Sequence, residues 1–187
     1  IQTLDSSRKL ALAAADVRLD VVQVQQWLTD ISATRGLDGL DDGLDEAAAY
    51  ADKLAADLTA GPALAQGLGR DDIGKRFDAV EAAFGPFYET GKLMAAAYVA
   101  EGPAAGNKMM SGFDAVAEEI SSALDTMLAD IDGLVVEQMT TVHVREEEAL
   151  ALEALRRHLS TGGQSRILLA IHGLGVFTCR TPGLLNK

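Results

Sequence analysis

From Leu10 to Ile31 the apolar residues come at alternating steps of four and three: Leu10, Ala14, Val17, Val21, Val24, Leu28 and Ile31. That step averages 3.5 residues, just under one α-helical turn, so all seven positions fall on one narrow face of a helix. A strand would need every second residue apolar. A helix with a single apolar seam cannot bury it alone, so the rest of the chain must supply partner helices.

The chain supplies them. A second seam, Leu44, Ala48, Ala51, Leu54 and Leu58, predicts a short helix over about 44–58. The segment "TAGPALAQGLGRDD" reads as a connector, with Asp71 or Asp72 as the N-cap of the next helix. That helix is expected over about 72–100, with Ile73, Phe77, Val80, Phe84, Phe87, Gly91, Met94 and Tyr98 inward. "EGPAAGN" follows as a turn, with Gly102 as a cap and Pro103 at the first position of a fourth helix. The fourth seam is Phe113, Ala117, Ile120, Leu124, Met127, Ile131 and Leu134, in a helix reaching about 158. The expected fold is all-α: an antiparallel up-down-up-down four-helix bundle with an extended fourth helix, turning near 36–43, 61–71 and 101–106. At 1.5 Å per residue the fourth helix is ~80 Å and the first only ~45 Å. That mismatch suggests that the first helix continues upstream of Ile1, as does a start without Met.

At 187 residues one domain is the default. Aromatic residues make up only 5%, and the many alanines favour close helix packing. The net charge of −12 excludes a nucleic-acid backbone as a natural partner. A single cysteine, Cys179, excludes an internal disulfide. No glycine-rich phosphate loop and no nucleophile–base pattern occurs, so no enzymatic activity and no cofactor are expected. His143 and Glu147 share a helical face, but a carboxylate-bridged metal centre would need further His at helical spacing, so a solvated pair is expected and no metal. The run Glu146–Glu148 reads as an exposed face.

From Ser160 the composition changes. "STGGQSRILLAIHGLGVFTCRTPGLLNK" has no acid, three basic residues and five glycines. Its apolar core is shorter than the roughly 18–20 residues that span a bilayer. Residues 1–159 are taken as the bundle. Residues 160–187 are taken as a tail outside it, either the start of a cut membrane segment or foreign sequence.

Two stretches at the bundle's turns carry a resemblance: "LDVVQVQQWLTDISATRGLDGLDDGLDEAAAYADKL" and "FYETGKLMAAAYVAEGPAAGNKMMSGFD". They resemble the extracytoplasmic sensor region of bacterial methyl-accepting chemotaxis receptors with a four-helix-bundle ligand-binding domain. Histidine kinases and cyclic-dinucleotide enzymes carry the same kind of sensor. The resemblance implies a dimeric periplasmic domain of the inner membrane, held between two transmembrane helices and feeding a signalling region inside the cell. A bundle that reads a periplasmic protein partner is the alternative of another class.

The binding-site expectation starts at Arg35, which occupies the next slot of the first seam, after Val24, Leu28 and Ile31. Two readings stay open. The guanidinium pairs with Asp38, Asp41 or Asp42 at a frayed helix end, or it turns inward as an anion clamp with forked donors. On the second reading Tyr98, Asn107 and Lys108 arrive at the same end of the bundle, where the first turn of the fourth helix offers unpaired N–H groups. Arg35, Tyr98, Asn107 and Lys108 are therefore the expected ligand-binding residues. They suit a small anion or carboxylate, with a neutral solute left open. Gln25 and Trp27 flank the seam, facing a neighbouring helix or a second subunit, and Val22 beside them adds to the expected dimer contact along the first helix. Gln23, Gln26 and Asp30 point further outward.

Overall fold

In the computed structural model, residues 2–160 are described, and they form four helices with no strand among them. These are α1 (Gln2–Thr34), α2 (Gly43–Gly67), α3 (Asp71–Glu101) and α4 (Pro103–Ser160). The chain divides into two units, Ile1–Val144 and Arg145–Lys187. Over 145–160 the second unit is helix, with Leu150 and Leu152 exposed. The expected tail, 160–187, falls outside the described residues but for Ser160.

One core gathers the seams of all four helices. The whole α1 seam is buried, and so are Phe77, Phe87 and Met94 of α3 and Phe113, Ile120, Met127 and Ile131 of α4. Full burial of side chains of this size contributes about 1.5–3 kcal/mol each. Phe87 stacks on Phe113 with centroids 5.3 Å apart, and Arg76 donates to Asp130 at 2.7 Å, so α3 and α4 are joined by both apolar and charged contacts. Phe84 is only partly buried and stacks on Tyr88 at the edge of this core.

Helix α2 departs most from the sequence expectation. It does not end at Leu58 but runs through Gly61 and Pro62 to Gly67. The step of three and four continues as Leu58, Gly61 and Ala65, all buried. Gly61 keeps the helix there because α3 passes so close that a Cβ would overlap the Phe77 ring. Helix-breaking composition is overridden by a close crossing that only glycine permits. The early register also differs: Gly43 and Ala47 face inward, while Leu44 is 42% exposed.

The α2–α3 connection is correspondingly short. Leu68, Gly69 and Arg70 turn the chain, with Gly69 at φ +70°. Arg70 stands at the N-cap position in place of Asp71 or Asp72, without a side-chain cap. Its guanidinium instead grips Asp72 through two nitrogens, at 2.9 and 2.7 Å, and holds that exposed carboxyl down to about 2. Gly102, at φ +79°, caps α3, and Pro103 opens α4 as the sequence predicts.

Gly61→Ala tests the α2–α3 crossing. Alanine gains up to about 1 kcal/mol of helix propensity, but the forced shift of the Phe77 ring costs about 1–3 kcal/mol. Denaturant unfolding should show a net loss of stability. A stabilised variant would contradict the contact.

Candidate functional site

Arg35 is not inward. Helix α1 ends at Thr34, and Arg35 takes a left-handed conformation with φ +54°, followed by Gly36 at φ +64°. The 100° per residue that placed Arg35 below Ile31 stops applying at the residue before it. Its N–H still donates to the Ile31 carbonyl at 2.7 Å, but the side chain is exposed. Nor does Arg35 form an ion pair with Asp38, Asp41 or Asp42 among the described residues. Its Nη1 instead reaches the α3–α4 turn, where a Cβ on Gly102 would stand 3.7 Å away.

Tyr98 and Asn107 are brought together. The Tyr98 hydroxyl donates to Asn107 Oδ1 at 2.5 Å, and the buried Tyr98 ring lies against Gly106, where a Cβ would overlap it. Tyr98 thus ties the end of α3 to the second turn of α4. Asn107 and Lys108 are exposed on α4.

The expected backbone donors are mostly taken. Pro103 has no N–H, and the N–H groups of Ala105 and Gly106 both donate to the Gly102 carbonyl, at 3.1 and 3.2 Å. That leaves Ala104 as the donor of this turn, a weaker anion site than an open helix N-terminus. At this turn, then, Arg35 Nη1 approaches Gly102, and Asn107, bonded to Tyr98, and Lys108 stand exposed on the second turn of α4.

The sequence reading missed a second polar cluster, between α1 and α2. Asp20 is fully buried and accepts from Lys53 Nζ at 2.7 Å through Oδ1. Its Oδ2 is buried without a partner, and so is Oδ2 of Asp57. Burial, and then the neighbouring Asp20 carboxyl, push the Asp57 carboxyl above the usual carboxylate range. Lys53 is pushed up in turn by its bond to Asp20. The signal lay in "VRLDVV": Asp20 is three residues from Val17 and four from Val24, on the shoulder of the seam that faces α2.

Two surface grooves of about 400 and 420 Å³ run elsewhere. One lies between α3 and α4, beside Arg76, Ala82, Glu119 and Ser122, and the other between α2 and α3, beside Pro62 and Lys75. Neither is lined by Arg35, Tyr98, Asn107 or Lys108. Among the described residues no cluster of His, Cys, Asp and Glu is arranged to hold a metal ion.

No family model matches the chain, and comparison with curated proteins and with solved structures returns no match.

Arg35→Gly separates backbone from side chain. A non-glycine residue in the left-handed region costs about 1 kcal/mol or more, so the glycine variant should unfold at equal or higher denaturant, by up to about 1 kcal/mol. A clear loss of stability would mean that the guanidinium over Gly102 holds the turn.

Proposed function

We propose that the chain is an extracytoplasmic ligand-sensing domain of a transmembrane chemoreceptor, a methyl-accepting chemotaxis protein of the inner membrane with this domain in the periplasm. It binds a small solute at the turn where α1 ends and α3 passes into α4, and answers with a small helix displacement. Two basic side chains and one amide favour an anion or carboxylate there. The observation that carries the reading is the form of α4: its last buried core residue is Leu134, yet the helix continues to Ser160. A helix anchored at its start beside the candidate site, and continuous far past the core, suits the transmission of a displacement. Among the described residues no helix is long and apolar enough to cross a membrane.

The contact register supports an antiparallel up-down-up-down bundle. On α1 and α2, Ile31 meets Gly43 while Asp20 meets Lys53, so residue numbers run in opposite directions. On α2 and α3, Gly61 meets Phe77 and Pro62 meets Gly74. On α3 and α4, Arg76 meets Asp130 and Phe87 meets Phe113. Leu28 meets Gly91 and Arg35 reaches Gly102, so α1 and α3 run the same way. A homodimer is supported by a second apolar line on α1, Leu12, Leu19 and Val22, each roughly half exposed. Trp27 packs against the core of its own chain and lends that contact little. The same domain on a histidine kinase or a cyclic-dinucleotide enzyme would use the same site. A bundle reading a protein partner would bind no small solute.

A thermal-shift screen of small carboxylates, amino acids and inorganic anions tests the reading. A solute at a hundred times its Kd stabilises by about 2.7 kcal/mol. That response should vanish in Arg35→Ala and weaken in Arg35→Lys, which lacks the fork. The unliganded stability of Arg35→Ala should stay within about 1 kcal/mol of wild type, because the side chain is exposed. Equal calorimetric affinity in wild type and Arg35→Ala would remove Arg35 from the site. Sedimentation showing a strict monomer at millimolar protein, with and without solute, would remove the dimer.

A further inference from the structure

Two carboxyl groups meet across the α1–α2 contact with too few donors between them. Asp20, on α1, has no exposed surface; Lys53 occupies one of its oxygens and nothing donates to the other. Asp57, one turn beyond Lys53 on α2, has a buried oxygen of its own that also lacks a donor, and Asp20 is the nearest carboxyl acting on it. Two buried acceptors facing each other are costly. A single proton cures both, because a protonated Asp57 donates to Asp20.

We propose that Asp20 and Asp57 form a proton-operated latch between α1 and α2: closed when Asp57 carries a proton shared with Asp20, and loosened when that proton leaves. In the closed state Asp20 accepts from both Lys53 and Asp57. When the proton leaves, two carboxylates face each other across a helix contact with one ammonium to offset them. Repulsion of that kind falls on the contact itself, not on the exposed surface.

The charges facing Asp57 are few. From α1 they are Asp20 and Asp16, both of which favour its protonated form, and from its own helix Lys53, which opposes them. The charged groups that α3 turns toward α2 are Asp71, Lys75 and Asp78, which border the groove beside Thr59 and Pro62. The sign follows from a carboxyl raised on folding: its stabilising contribution is complete below the unfolded carboxylate range and is lost as pH rises through the raised folded value. General self-repulsion of a chain of net charge −12 has the same direction, so the latch is isolated by difference from variants.

The experiment uses the full 187-residue chain. Carbon-detected NMR of the aspartate side-chain carboxyls follows Asp57 from pH 3 to pH 8, and thermal unfolding follows wild type, Asp57→Asn and Lys53→Gln over the same range. Asparagine carries a permanent donor where the acid needs its proton. Asp57→Asn should therefore melt above wild type by about 2–4 °C at pH 8, with the gap closing toward pH 4. Lys53→Gln removes the ammonium that opposes the proton, so it should move the Asp57 titration to higher pH. An Asp57 signal titrating at the ordinary aspartate value overturns the latch, and does so even if both variants fail to fold. A wild-type-to-Asp57→Asn gap that is constant with pH overturns it as well, as does an unmoved titration in Lys53→Gln.

Discussion

The side chains of Leu28 and Phe113 close over Gly91, and the rest of the core is arranged around that junction. A Cβ on Gly91 would stand 2.6 Å from Leu28 and 2.9 Å from Phe113, so α1, α3 and α4 meet there at a distance only glycine allows. Phe87, one turn earlier on α3, stacks on the same Phe113 ring. Such a contact fixes the register of three helices at once, because close-packed interiors do not slide continuously. Glycines at Gly61 and Gly106 do the same for α2 on α3 and for the α3–α4 turn, each against one aromatic ring. Phe77, Tyr98 and Phe113 thus each lie against a glycine.

This explains what the sequence makes legible. Four seams at steps of four and three predict four helices and nearly the whole core, because the period of an apolar face depends on the helix alone. Local punctuation is read less well. Gly102–Pro103 is legible as a boundary because both residues act on their own backbone. Gly61–Pro62 carries the same composition and lies inside a helix, because the determining fact is a ring from another helix.

The candidate site shows the same division. Arg35 looks inward only if α1 is extrapolated by one residue too many, and the left-handed residue that stops it has no Gly or Asn to announce it. Tyr98 is legible as a seam residue, while its bond to Asn107 depends on how sharply Gly102 turns the chain. Asp20 is hidden for the opposite reason. An acid on the shoulder of a seam looks solvent-facing until the neighbouring helix is known to cover it.

The location of that acid pair follows from how unevenly apolar bulk is spread. The inward face of α2 is Ala47, Ala51, Leu54, Leu58, Gly61 and Ala65, where α3 brings Phe77, Phe87 and Met94. At about 0.8 kcal/mol per buried CH₂, each alanine in place of a leucine gives up roughly 2 kcal/mol of driving force. Small residues on that face also let α2 lie close against α1, where Lys53 reaches Asp20. An unsatisfied buried polar group costs about 1–3 kcal/mol, as much as one such leucine. Between α1 and α2 the cost falls inside the contact, at the buried oxygens of Asp20 and Asp57, so a change in the protonation of one side chain acts on that helix pair directly.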